Sequence, residues 1–290
     1  MFSRVLKYEF AAWRRSYARF LIVIGLVFTL GCVVVALRMP IVSELALALP
    51  ILAIMALPIS QFVLVVVSYY RSLYGPRGYL THTLPVPAGT LYAGKLVASM
   101  AALVVSGALM LAAIVLTTVA LDLSARTAPF STLRDALGAL GRVPGLGLWI
   151  AGLGLLMLLS LFFNIISIFC AISTGSEARW QGLGIGGPVL VYVLIYVAGQ
   201  LLTLGLMLTL PLGLQIDMTP VALAESGGPL SMPGLGIVSG NMLMAFWDAI
   251  REPNPLVATV GLGSFLAGPV LTAVCAWRTV RSIRCRTSLR

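Results

Sequence analysis

Charged side chains are scarce in this sequence, and their scarcity excludes most soluble folds. Only 10% of the 290 residues are charged, whereas 60% are hydrophobic; soluble domains carry about 25% charged residues. Too little polar surface is present to cover a water-soluble globule, so the composition predicts a polytopic membrane protein. The formal net charge is +10, but the basic residues are spread over short segments between apolar runs, so we expect no nucleic-acid partner.

Several catalytic and ligand-binding signatures are also missing. No G-x-x-x-x-G-K-[ST] sequence occurs, so the chain has no ATP-binding loop of its own. The four cysteines form no C-x-x-C or Cys/His cluster, which argues against a metal site. The single histidine, His82, has no carboxylate near it in the sequence to support Ser/His/Asp catalysis. We therefore expect no enzymatic activity, cofactor or metal in this chain.

Long apolar runs are what the sequence has instead, and they predict six transmembrane helices. The first run, 20–37, is uncharged and would extend about 27 Å as a helix, enough to cross the hydrocarbon core. Pro50 and Pro58 predict kinks in the second span. The predicted spans are 20–37, 45–70, 96–121, 146–172, 188–210 and 256–277. The predicted fold is an all-α polytopic membrane protein, with residues 1–290 in a single transmembrane domain.

None of these six spans contains an Asp, Glu, Lys, Arg or His residue. Ion-coupled carriers usually place ionisable groups in the membrane, so their absence argues against that class. The polar residues Asn164 and Gln200 have two interpretations: they form hydrogen bonds between helices, or they line a transport path. An apolar path with few polar groups suits amphipathic or lipid-like cargo.

Residues 1–16 have the pattern of an amphipathic helix that lies in the membrane interface. One face is apolar and aromatic, and the other is basic. The apolar face carries Phe2, Val5, Leu6, Phe10 and Trp13, and the basic face carries Arg4, Lys7, Arg14 and Arg15. Glu9 interrupts the apolar face, and it either extends its carboxylate to the membrane surface or pairs with a basic residue of a cytoplasmic loop, such as Arg71 or Arg77.

The distribution of basic residues predicts the orientation. With six spans and a cytoplasmic N-terminus, 14 of the 19 Lys and Arg residues fall on the inner side, as the positive-inside rule requires. The arginine-rich C-terminal tail is then also cytoplasmic. We expect a multi-pass protein of the plasma or inner membrane with both termini in the cytoplasm.

The predicted extracellular segments differ in size. The segment 122–145 contains a short predicted helix at Thr132–Leu140. The segment 211–255 is larger and rich in Gly and Pro. Within it, Ile237–Ile250 is apolar but too short to cross the bilayer, so it is either a re-entrant helix or a helix lying in the interface.

The segment 71–95, which we call the coupling loop, follows the second span on the cytoplasmic side. Gly75-Pro76 indicates a turn with proline at the first helical position, and Pro85 ends the predicted helix near Thr83. A helix of about two turns cannot be stable alone. Its Tyr79 and Leu80 suit a socket on a partner protein, where a few aromatic anchors dominate binding. The alternative is an ordinary loop that folds back onto the helices.

Two stretches carry a family resemblance. The sequence LYGPRGYLTHTLPV, followed by Lys95 at the start of the third span, resembles the permease subunits of bacterial ABC-2-type transporters. The opening RVLKYEFAAWRRS is similar to the cytoplasmic connecting helix of that family. The layout is also similar: a basic amphipathic start, six spans, short inner loops, and a larger outer segment before the last span.

The resemblance implies an ATP-driven exporter. Two permease subunits, identical or different, would form the path, and two separate ATPase subunits would bind ATP and magnesium and dock from the cytoplasm. The implied ATPase-coupling residues are Tyr74, Gly75, Pro76, Arg77, Tyr79, Leu80, Thr83 and Leu84. The second inner loop, 173–181, would be a minor contact, with Glu177, Arg179 and Trp180 at the surface. An ATP-independent secondary carrier or channel and a non-transporting membrane scaffold are the alternatives.

Overall fold

The computed structural model consists mainly of long helices. It describes residues 2–37, 47–75, 78, 86–141, 145–184, 186–210, 212–217, 234–239, 247, 251 and 257–285. The helices are α1 (Phe2–Ala36), α2 (Ala48–Leu73), α3 (Ala88–Ala125), α4 (Ser131–Gly141), α5 (Leu146–Gly175), α6 (Gly186–Thr209) and α7 (Gly263–Cys285), with a 3-10 helix at Ala178–Leu183. The strands are β1 (Leu212–Asp217), β2 (Gly234–Ser239) and β3 (Val257–Gly261).

Five helices in the described part of the chain, α1, α2, α3, α5 and α6, are long and apolar enough to cross a membrane. Their sequences are near-continuous runs of Leu, Val, Ile and Ala. Helices suit such a setting because they satisfy every backbone hydrogen bond within the segment. The prediction of a helical, multi-pass membrane protein is confirmed at this level.

The sixth predicted span, 256–277, differs from the structure. Residues 257–261 form β3, and α7 begins only at Gly263. The part of α7 that lies within the predicted span, 263–277, would extend about 22 Å, less than the roughly 30 Å of a hydrocarbon core. The remainder of α7 carries Arg278, Arg281 and Arg284. The count of six spans therefore stays a prediction.

The N-terminal segment also differs from the prediction of a separate interfacial helix over 1–16. The helix α1 is continuous from Phe2 to Ala36 and about 52 Å long. The helix α3 has 38 residues and is about 57 Å long. Both exceed the thickness of a hydrocarbon core, and both include ionisable residues that lie beyond the predicted spans. These are Glu9 and five basic residues in α1, and Lys95 and Asp122 in α3.

The chain divides into two compact units. The N-terminal unit comprises Met1–Gly138 together with Thr287–Arg290, and in it α1, α2 and α3 pack against one another pairwise. A buried cluster formed by Phe28, Ala53, Leu57 and Ala113 joins the three helices. Gly31 permits close approach of α1 and α2, because a Cβ there would lie 2.5 Å from Pro50 Cδ.

The C-terminal unit comprises Ala139–Arg286, and its helices α5, α6 and α7 also pack pairwise. The helices α5 and α7 meet closely at Gly268, where a Cβ would lie 2.6 Å from the Phe163 ring. The short helix predicted at Thr132–Leu140 is present as α4, Ser131–Gly141.

A three-stranded antiparallel sheet was not predicted. Its order is β2-β1-β3, with Leu214 opposite both Ile237 and Val260. The predicted loop 211–255 thus contains two strands, and β2 takes up the first residues of the predicted helix Ile237–Ile250. Apart from Trp247, the rest of that predicted helix lies outside the described residues.

Candidate functional site

A buried ion pair lies at the C-terminal end of the segment 71–95, where α3 has already begun. Lys95 Nζ of α3 is 2.5 Å from Glu9 Oε1 of α1, and it donates a second hydrogen bond to Ser72 Oγ of α2 at 2.7 Å. The Lys95 side chain is only 3% exposed and that of Glu9 is 22% exposed. All three helices of the N-terminal unit thus meet at one ammonium group.

Glu9 therefore does pair with a basic residue, and in the described part of the chain that residue is Lys95 of α3. Arg71 is exposed, and Arg77 lies outside the described residues. An ammonium group that is removed from water stays charged at acceptable cost only when it is paired and hydrogen-bonded. Glu9 and Ser72 supply both interactions, so α1 is held to the end of α2 and the start of α3.

Aromatic and apolar side chains surround this cluster. Leu73, Tyr74, Leu91 and Tyr92, at the helix ends that flank residues 75–87, are all buried. One and two turns beyond Glu9 on α1, Trp13 and Tyr17 stack with ring centroids 5.0 Å apart. Lys95 is thus removed from water while Glu9 stays partly accessible, and the lower effective dielectric strengthens their electrostatic attraction.

The predicted turn at the start of the coupling loop is present. Tyr74 and Gly75 both donate backbone hydrogen bonds to Tyr70 O, and Gly78 N donates to Gly75 O at 2.8 Å. A Cβ at Gly75 would lie 2.8 Å from Arg71 O, so the turn has no room for a side chain.

The implied coupling residues are only partly described. Tyr74 is buried, and its ring lies 6.4 Å from that of Tyr70. Pro76, Arg77, Tyr79, Leu80, Thr83 and Leu84 lie outside the described residues.

The second inner loop differs from its prediction at one residue. Arg179 is exposed and Trp180 is half-buried, but Glu177 is not at the surface. Its side chain is 5% exposed, and Oε2 lies 3.3 Å from a guanidinium nitrogen of Arg278 in α7. The sequence did not predict this pair, because the two residues are 101 positions apart.

The two residues predicted as path-lining, Asn164 and Gln200, line the same groove. This groove has a volume of about 600 Å³ and is formed by α5, α6 and the first turns of α7. Its apolar lining includes Leu156, Leu159, Phe163 and Phe265. Its polar lining includes Ser160, Asn164, Ser167, Tyr192, Tyr196 and Gln200. No charged residue contributes to this described lining.

Sequence reasoning missed four of these polar residues as a set, although a signal was present. Ser160, Asn164 and Ser167 are spaced i, i+4, i+7, and Tyr192, Tyr196 and Gln200 are spaced i, i+4, i+8. Either spacing places its residues on one helix face. When two successive apolar helices each carry a polar stripe, the stripes predict a polar surface shared by both helices.

Comparisons with protein-family models, with curated proteins and with solved structures find no match to this chain. The structural features described above therefore provide the basis for any functional assignment.

Proposed function

We propose that this chain is the permease subunit of an ABC-2-type exporter in the plasma or inner membrane. Two such subunits, identical or different, would form the translocation path. Two separate ATPase subunits would bind ATP and magnesium and dock from the cytoplasm. The observation that carries the proposal is the connection between the coupling loop and the N-terminal unit through Lys95.

The mechanical argument starts at the loop. Gly75 leaves α2 through a tight turn, and α3 begins at Ala88. The last residues of α2 and the second turn of α3 are buried, and the Lys95–Glu9–Ser72 cluster connects both helices to α1. A force applied to the loop by an ATPase would therefore move three apolar helices together, because close-packed elements transmit displacement.

The charge pattern supports the same direction of docking. The proposed inner side carries 14 of the 19 basic residues, which supports a cytoplasmic position for the coupling loop. The chain has no ATP-binding loop, so energy would enter through a protein contact. ATP binding would close the ATPases, and the loop would transfer that movement to α1, α2 and α3.

The direct test is the double substitution Tyr79→Ala with Leu80→Ala. The chain is co-expressed with a candidate ABC ATPase, and co-purification and ATP-dependent transport are measured. We expect normal membrane insertion but loss of both readouts. The matched control is Phe130→Ala with Leu137→Ala, which removes an exposed aromatic and an exposed leucine from the predicted outer side and should change neither readout.

Four outcomes would contradict the proposal. Full transport by the Tyr79/Leu80 variant would show that the loop is not the coupling site. External labelling of a cysteine placed at Arg77 in intact cells would put the loop on the wrong side. ATP-independent flux in liposomes that contain only this chain would favour a secondary carrier or channel, and ATPase co-purification without stimulated turnover would favour a scaffold.

A further inference from the structure

We propose that the groove of the C-terminal unit binds an uncharged amphipath: a molecule with an aliphatic body and a neutral, hydrogen-bonding head. This inference deepens the proposed function, on which it rests for the idea that the ligand is cargo. Its binding step depends only on the groove formed by α5, α6 and α7.

The first argument is the depth of the two amides. Asn164 lies about 16 Å along α5 from the Gly175 end, and Gln200 lies about 21 Å along α6 from the Gly186 end. These two helix ends are joined by the short segment that contains the 3-10 helix. Both amides therefore lie near the middle of a hydrocarbon core of about 30 Å.

The second argument is that these amides need a partner. Asn164 and Gln200 are both exposed, and within the described part of the chain neither side chain makes a hydrogen bond. A polar group left unpaired in an apolar medium is strongly unfavourable, because it has lost its hydrogen bonds to water without replacement. A resident bilayer lipid keeps its head at the interface and presents only its chains at this depth.

The third argument is the continuity of polar groups toward one end of α6. Tyr192 and Tyr196 precede Gln200 at successive helical turns, and all three line the groove. The groove thus has a stripe of hydroxyl and amide groups and an apolar lining that includes Phe163 and Phe265. Such a surface lets a hydrogen-bonding head move along one stripe while an aliphatic body contacts the walls.

The absence of charge in the described lining selects the head. No Asp, Glu, Lys, Arg or His residue belongs to it. A charged head at mid-membrane depth would have no countercharge, and an uncompensated charge in that environment is far more costly than a neutral polar group. The groove therefore favours ligands with a neutral head over ligands with a charged head of similar shape.

The experiment uses the full chain in lipid nanodiscs without an ATPase. The probe is octyl glucoside with a photoreactive diazirine in its alkyl chain. Matched probes carry the same chain with a trimethylammonium head, a sulfate head or no polar head. Cross-linked peptides are identified by mass spectrometry. We expect labelling of α5 and α6 by the glucoside, and about tenfold less by the three other probes.

Two variants test the role of the amides. Asn164→Leu with Gln200→Leu keeps side-chain volume and should reduce glucoside labelling roughly tenfold, the effect of losing about one to two hydrogen bonds. Gln215→Leu in β1 makes the same chemical change outside the groove and should leave labelling unchanged. Competition by unlabelled octyl glucoside in the unmodified chain provides the same test without any substitution.

Equal labelling by all four probes would overturn the inference and identify a lipid-facing crevice. Unchanged glucoside labelling of the Asn164→Leu, Gln200→Leu variant would overturn it as well, because the two amides would then have no role in binding. Because the labelling experiment contains no ATPase, a failure of labelling would not contradict the proposed docking of an ATPase. Conversely, failure of docking by the Tyr79/Leu80 test would leave the labelling result unaffected.

Discussion

Lys95 and Glu9 form an ion pair, with 2.5 Å between Nζ and Oε1, although they are 86 positions apart in the sequence. The pair joins α1 to α3 at the point where α2 ends and the coupling loop begins. Its consequence is that the amphipathic N-terminal residues pack in the same unit as the ends of α2 and α3 that flank residues 75–87.

The first prediction concerns this pair. Lys95→Met leaves Glu9 without its partner in a mostly buried position, and we expect a loss of about 1–3 kcal/mol in stability. The double variant Glu9→Gln with Lys95→Met removes both charges and should recover most of that loss. Thermal unfolding of the detergent-solubilised chain gives the measurement. Equal melting temperatures for all three proteins would show that the pair has no energetic role.

The second prediction concerns the turn at Gly75. Gly75→Ala places a Cβ 2.8 Å from Arg71 O, a backbone atom that can move only if the end of α2 moves. We expect lower thermal stability and weaker ATPase co-purification. The matched control is Gly107→Ala in α3, where a Cβ meets nothing within 4 Å; that change should be neutral or stabilise by about 0.5–1 kcal/mol.

The third prediction separates two arginines of the C-terminal unit. Arg278→Ala removes the guanidinium group that pairs with Glu177, whose side chain is 5% exposed, and should destabilise the protein by about 1–3 kcal/mol. Arg179→Ala removes an exposed arginine and should stay within about 0.5 kcal/mol of the parent. Chemical denaturation measured by tryptophan fluorescence distinguishes them. Similar effects of both substitutions would contradict the ion-pair assignment.

The fourth prediction concerns two buried thiols on α5 and α7. Phe163 of α5 packs on Gly268 of α7. Cys170 lies seven residues after Phe163, and Cys275 lies seven residues after Gly268 on the parallel helix α7. Two helical turns preserve the facing side, and both residues are buried. Copper-phenanthroline should therefore form an intramolecular disulfide between them, detected by mass spectrometry. Cys170→Ser should abolish it, whereas Cys32→Ser, in the N-terminal unit, should not.

Long apolar runs were the reliable signal in the sequence. The helices α2, α5 and α6 agree with the predicted spans within a few residues, because a run of more than 20 apolar residues has few alternatives in a membrane. Boundaries were less certain. The helix α3 begins at Ala88 and includes Lys95, since a paired lysine does not end a helix.

Contacts between distant residues and the three short strands could not be predicted from local sequence patterns. The partner of Glu9 depends on how α1 packs against α3, which no local spacing specifies. The strands β1, β2 and β3 have only five or six residues each and lie in Gly-rich sequence, where alternation is too short to register. The path-lining residues Asn164 and Gln200 were identified by type, but their convergence on one groove required the packing of α5 against α6.

The pairing of β1 with β3 holds the ends of α6 and α7 close together, whatever the length of the chain between the two strands. The strand β1 starts three residues after α6 ends, and α7 starts two residues after β3 ends. Direct pairing of Gly213 with Gly261 closes this excursion at its base. Because each doubling of a loop costs only about 0.6 kcal/mol, we expect the segment 218–233 to accept an inserted tag or domain while the helical part keeps its fold.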